Sequence, residues 1–223
     1  MYIGIDLSSG NNIANTSVTV LELTNNNMLK LVSITSGLND ADILDVIDKY
    51  KENCVIGIDS PLSTNGDNKC RESDKKLKDS LAEINKFIQN KQEKFKLSSV
   101  IPPMSRHMVY LTVRGITLSR SISIGYPEAK IVEVHPRAAL FLHFYHSIAV
   151  DIQNYKEVNN KHAKLNVINC LSQTISGIEA TGNYTDHDID SIVAAYSAFC
   201  WDVGTYAFLF SKTDKFHPYE FSC

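Results

Sequence analysis

Ile3-Gly4-Ile5-Asp6 and Ile56-Gly57-Ile58-Asp59 are one tetrapeptide written twice at distant points of the chain. Each copy is short and β-branched. Each is stopped at once, the first by Ser8-Ser9-Gly10 and the second by Ser60-Pro61, as strands are. Side chains alternate along a strand, so the isoleucines share one face and Gly and Asp share the other. Parallel neighbours lie roughly 4.8 Å apart. As such neighbours, the two strands set their carboxylates side by side at the carboxyl edge of a sheet, where open α/β sheets build their sites.

The rest of the chain supplies the sheet and its cover. Thr16 to Leu23 and Met28 to Thr35 read as strands joined through Asn25-Asn26-Asn27 into a hairpin. Asn39 is placed to cap a helix through Tyr50, striped by Ile43, Leu44, Val46 and Ile47. Leu77, Leu81, Ile84 and Ile88 recur at helical spacing and predict a helix from Arg71 to Asn90. Val100 to Arg120 opens on Ile-Pro-Pro and reads as loop plus a short helix. Ala129 to Val134 is a strand, and Pro136 suits the first turn of a helix through His146. Helices are expected over Lys156 to Gln173 and from a cap at Asp186, the latter burying Ile189, Ile192, Val193, Tyr196 and Phe199. This order predicts an α/β fold: a mixed sheet with a hairpin and central parallel strands, flanked by helices. One domain over residues 1–223 is expected, with a helical or loop insertion around 63–128.

Composition sets limits on function. With 43% hydrophobic and 21% charged residues the chain is an ordinary globular one. The net charge of -3 excludes a protein that binds polyanions through its overall charge. Lys69 to Lys96, with nine Lys or Arg against five Asp or Glu, is either a local basic patch or a solvated helix face. Five cysteines, widely spaced and odd in number, fit reduced thiols of the cytoplasm better than a disulfide framework. The opening MYIGID does not read as a secretory leader, and no apolar run reaches membrane-span length. No Walker A, GxGxxG or GxSxG pattern is present, and His143-Phe144-Tyr145-His146 has no nearby acid or Cys to complete a zinc site.

The carboxylates carry the chemistry. Asp6 and Asp59 held at strand separation repel unless a cation lies between them. Their hard oxygens favour Mg²⁺ or Mn²⁺. Taken singly, each Asp could instead cap the turn that follows it. Asp186-His187-Asp188-Ile189-Asp190-Ser191 adds a third acid: Asp190 falls beside the apolar stripe, next to small residues that allow close approach to a sheet edge. His187 lies three residues earlier on the same helix face, placed to ligate a metal or relay a proton. Asp186 and Asp188 read as solvated N-terminal acids favoured by the helix dipole.

These residues resemble a domain-of-unknown-function family of predicted RNase H-like nucleases. The resemblance runs through Gly4-Ile5-Asp6, Gly57-Ile58-Asp59-Ser60-Pro61-Leu62, Arg71-Glu72-Ser73-Asp74, Pro102-Pro103-Met104 and Leu111-Thr112-Val113-Arg114-Gly115. It continues through Val132-Glu133-Val134-His135-Pro136-Arg137-Ala138 and His187-Asp188-Ile189-Asp190-Ser191. The last motif is also similar to the end of Holliday-junction resolvases of the RNase H-like superfamily. That resemblance implies that Asp6, Asp59 and Asp190 bind the metals, with His187 as an accessory residue. Ser73 stands where the family pattern has Cys, and Ser191 where Ala is usual.

Glu133 reads either as a fourth site carboxylate or as a partner of Arg137. Arg71, Arg114 and Arg137 are candidate phosphate grips, since guanidinium forks match phosphate oxygens, or else structural partners of acids. The leading functional expectation is metal-dependent phosphodiester hydrolysis of nucleic acid, with one ion activating water and a second stabilising the leaving oxygen. Two others stand beside it. One is an actin-like ATPase or sugar-kinase relative using Asp6-Leu7-Ser8-Ser9-Gly10 as a phosphate loop. The other is a non-catalytic nucleic-acid-binding module using the Lys69 to Lys96 segment.

Overall fold

Tyr2–Asp6 forms β1, and Ser17–Leu23 (β2) and Leu29–Ser36 (β3) follow as an antiparallel hairpin in the computed structural model, which describes residues 1–10, 12–65, 70–213 and 217–223. The hairpin turns as the Asn triplet predicts. Asn27 takes a positive φ of 57°, which Asn tolerates, and the Thr24 N–H closes the turn on the Met28 carbonyl. Asp40–Lys49 is α1. Asn39 caps it by accepting from the N–H groups of Ala41 and Asp42, while Asp42 accepts from the Asn39 N–H. Val55–Asp59 (β4) then pairs parallel to β1 in register, Gly4 opposite Gly57 and Asp6 opposite Asp59.

Residues 60–129 carry the chain from β4 to the next strand through α2 (Glu72–Phe87) and α3 (Val109–Gly125). After them come β5 (Lys130–Val134), α4 (Pro136–Asn154), α5 (Lys161–Ser172), β6 (Ile175–Ser176), α6 (Asp186–Val203), β7 (Leu209–Phe210) and β8 (Glu220–Ser222). Among the described residues these make one eight-stranded sheet, ordered β6-β3-β2-β1-β4-β5-β8-β7, with parallel pairs at its centre. The expected mixed α/β fold with a hairpin and central parallel strands is present. No helix among the described residues is long and apolar enough to cross a membrane.

Strand alternation divides the core in two. Ile3, Ile5, Ile56 and Ile58 pack on one face with Ile43 and Ile47 of α1 and Leu118 and Ile122 of α3. Each such side chain, fully buried, contributes about 1.5–3 kcal/mol. A second core gathers α2, α4, α5 and α6 through residues such as Leu77, Leu81, Phe141, Leu171 and Ile192. The segment expected as an insertion thus contributes to both cores, α2 to one and α3 to the other.

The strand glycines let α6 lie directly on the sheet. A Cβ on Gly4 would come 2.0 Å from the Ser191 carbonyl oxygen, and one on Gly57 2.3 Å from that of Ala194. No other residue fits at that separation.

Several elements differ from expectation. Helix α3 is a full 17-residue helix where only a short one was expected, because its buried face includes Thr112, Gly115 and Ser119, which break any apolar stripe. Helix α4 runs past His146 to Asn154 through a kink at Ile148. Helix α5 begins at Lys161, capped by Asn160, so Lys156 lies in the turn before it. The cap of α6 is Thr185, paired with Asp188 in a capping box, rather than Asp186. Strands β6, β7 and β8 are two or three residues long and have no periodic signature to read.

Candidate metal centre

The parallel register delivers Asp6 and Asp59 to adjacent positions at the carboxyl ends of β1 and β4. Helix α6, lowered onto Gly4 and Gly57, adds Asp190 from above the same face. Each of the three offers a carboxylate oxygen, and these atoms lie within 4.8 Å of one another. They are the one group of three or more His, Cys, Asp or Glu found so arranged among the described residues. Asp6 and Asp190 are buried and Asp59 is partly exposed, which leaves the cluster a way out to solvent.

Crowding acids out of water perturbs them. Burial, and then the charge of Asp190, push the Asp6 carboxyl well above the usual carboxylate range. Burial and then the charge of Asp6 do the same to Asp59. With oxygens this close, the two carboxyls cannot both ionise without repelling each other. His187 reaches in from the first turn of α6, its Nδ1 2.7 Å from Asp6 Oδ2.

Asp190 is held by two consecutive residues of the turn after α4. The buried Tyr155 hydroxyl donates to Oδ1 at 2.5 Å, and the Lys156 ammonium pairs with Oδ2. Burial, then the Asp190 charge, raise the Tyr155 hydroxyl well above its ordinary value. Burial would lower the Lys156 ammonium, but Asp190, Tyr155, Asp59 and Asp6 outweigh it and hold the group charged. His135 caps α4 through Nδ1, which accepts from the Ala138 N–H at 3.4 Å, and its Nε2 faces the Ser99 carbonyl at 3.4 Å. Burial and the nearby Lys156 charge bring it down to about 4, so the ring is neutral at pH 7.

Glu133 is not a fourth site carboxylate, and its partner is not Arg137. Its register partner is Ile58, so it leaves β5 on the isoleucine side of the sheet rather than with Asp59. There it binds Arg71 at 2.5 and 2.9 Å and accepts from the Leu62 N–H at 2.8 Å. Arg71 is likewise no phosphate grip. Its guanidinium is buried and shared among Glu133, Asp74 and Ser63. Arg114 ties the loop after β1 to the start of α1, donating to the Ser8 carbonyl at 2.7 Å, Thr16 Oγ1 at 2.8 Å and Asp40 at 2.8 Å. It lines a cleft of about 690 Å³ with Ser9, Gly10, Ile13, Tyr110 and Val113. Arg137 is the free one of the three. It is half-buried, stacks over the Tyr155 ring at 5.7 Å, leaves its Nε without a partner, and makes no ion pair among the described residues.

The two partners of Asp190, Tyr155 and Lys156, carry no signal of their own in the sequence. Lys156 is the first residue of the helix expected from the sequence, and nothing in its local pattern points at Asp190. Asp188 reverses its reading too. It is buried, and although burial works the other way, hydrogen bonds from Ser36, Thr185 and Ser17 draw it below the ordinary range. Of the basic segment, Lys69 lies outside the described residues, while Lys75 and Lys76 are exposed on α2.

A family model described as "Protein of unknown function (DUF429)" matches residues 4–215. No curated protein and no solved structure matches the chain.

Proposed function

The chain belongs to the DUF429 family, and since that description assigns no activity, we propose from the acidic site itself that the protein is an RNase H-like, divalent-metal-dependent nuclease of the reducing cytoplasm. The observation that carries the reading is the convergence of Asp6, Asp59 and Asp190 at one sheet edge with their oxygens within 4.8 Å.

The donor set fits Mg²⁺ or Mn²⁺: three carboxylates, all hard oxygens. Their crowding also demands positive charge, since Asp6 and Asp59 hold protons tightly without it. When bound, such an ion supplies positive charge for the developing charge of a phosphodiester under attack.

The chain's own groups do the rest. Asp6, Asp59 and Asp190 hold the ion. Tyr155 fixes the orientation of Asp190 through one oxygen. His187, bonded to Asp6 and about one-third exposed, is placed to accept or return a proton at the mouth of the site. Arg137, unpaired and adjacent to Tyr155, is placed to take a phosphate oxygen of a nucleic-acid backbone. The free state of all five cysteines suits a reducing compartment.

Purified protein incubated with Mg²⁺ or Mn²⁺ and branched, hybrid, single-stranded and duplex substrates tests the proposal. Cleavage is expected of at least one, and is expected to disappear in Asp6→Asn that keeps its circular dichroism. Undiminished cleavage by Asp6→Asn, or none by the parent protein on any substrate, would overturn it.

A further inference from the structure

Lys156 lies where a metal-binding triad has least use for a lysine. Its ammonium pairs with Asp190 Oδ2, and it also feels the charges of Asp59 and Asp6. It is therefore a monovalent cation already paired with one of the three clustered carboxylates. A divalent ion drawn to the same oxygens meets its repulsion and competes with it directly for Asp190.

The surroundings allow Lys156 to leave without disturbing Asp190. Tyr155, next in the chain, is fully buried and holds the other oxygen of Asp190, so the carboxylate stays aimed when Oδ2 is released. Lys156 itself follows the last residue of α4 by two positions and precedes α5 by five, so no helix fixes its backbone. Its side chain is 35% exposed, against 2% for Asp190, and its four-carbon stem is flexible. One anchor is rigid and the other is long and partly exposed.

We propose that Lys156 is a displaceable internal cation: it neutralises Asp190 while no divalent ion is present, and binding of the ion expels its ammonium toward solvent at the Tyr155 ring, over which Arg137 also lies. Expelled, it joins Arg137 as a second positive group for the phosphates of the substrate. The inference rests on reading the triad as a metal centre, so its test separates the two.

Mn²⁺ affinity is measured by calorimetry for the parent protein, Lys156→Met and Asp190→Asn. In parallel, lysine acylation of the parent protein is mapped by mass spectrometry with and without Mn²⁺, with exposed Lys75 as the reference. Lys156→Met is expected to bind Mn²⁺ about tenfold more tightly, equivalent to about 1.4 kcal/mol, and Asp190→Asn more weakly. Acylation of Lys156 is expected to be slow without metal and to rise toward the Lys75 rate as Mn²⁺ saturates.

If neither the parent protein nor Lys156→Met binds Mn²⁺, the metal-centre reading and this inference fall together. If the parent protein binds the ion but Lys156 acylation stays flat or declines, Lys156 remains seated and only this inference is overturned. The acylation arm needs no variant, so misfolding of Lys156→Met does not shield the proposal.

Discussion

Gly57 of β4 passes directly under Ala194 of α6, so close that an added Cβ would stand 2.3 Å from the Ala194 carbonyl oxygen. The distance couples the last helix to the sheet, and through it Asp190 to Asp59.

Gly57→Ala is therefore expected to lift α6. Overpacking of this kind costs about 1–3 kcal/mol. Urea unfolding should show that loss, and calorimetry should show weaker Mn²⁺ binding although no carboxylate has changed. A variant as stable as its parent, with the same metal affinity, would show that the helix yields freely.

The acids set the pH dependence of the metal-free protein. Asp6 and Asp59 hold their protons more tightly folded than unfolded, since burial and mutual charge raise both. The unfolded chain releases those protons near ~3.9. Stability contributed by the protonated pair is complete below that value and is lost as pH rises toward the folded-state values. Melting temperature in EDTA should thus fall across that window. Saturating Mg²⁺, or Asp59→Asn, should flatten the decline. A metal-free melting temperature that climbs with pH there contradicts the assignment.

Tyr155→Phe removes the hydroxyl that satisfies Asp190 Oδ1. A buried acceptor left without its donor costs about 1–3 kcal/mol. Unfolding measurements should find that loss, and Mn²⁺ titration should find reduced affinity as Asp190 loses its fixed orientation. Unchanged affinity would limit Tyr155 to packing.

Arg71 and Arg137 should separate stability from binding. Arg71→Met breaks the buried pair with Glu133 and is expected to cost about 3–5 kcal/mol. Arg137→Met breaks no ion pair among the described residues and should stay within about 0.5 kcal/mol of the parent. Nucleic-acid affinity, measured against salt, should drop in Arg137→Met with a salt slope shallower by about one. A destabilised Arg137→Met with unaltered binding would reverse the roles.

What the sequence made legible follows from physical periodicity. Alternation in Ile-Gly-Ile-Asp put both glycines and both acids on one face, and the small residues after Asp190 announced a close helix; all of this is present. The same rule, applied to Val132-Glu133-Val134, would have placed Glu133 on the opposite face, but only with the register of β5 against β4, which no local pattern supplies. Lys156 and Tyr155 meet Asp190 across more than thirty residues of chain, and no spacing rule spans that interval. Helix α3 hid because hydroxyls and a glycine replace apolar residues on its inner side. The eighth strand hid because its three residues draw their identity from the neighbour they pair with.

Asp188 fastens the first turn of α6 to Ser17 and Ser36 of the hairpin, and two residues later Asp190 completes the acidic cluster. During translation, the two strand acids leave the ribosome long before the helix that complements them. A nascent chain therefore cannot assemble the three-carboxylate cluster until α6 docks on the finished hairpin, and the hydrolytic machinery proposed for it stays disarmed until that helix has been made.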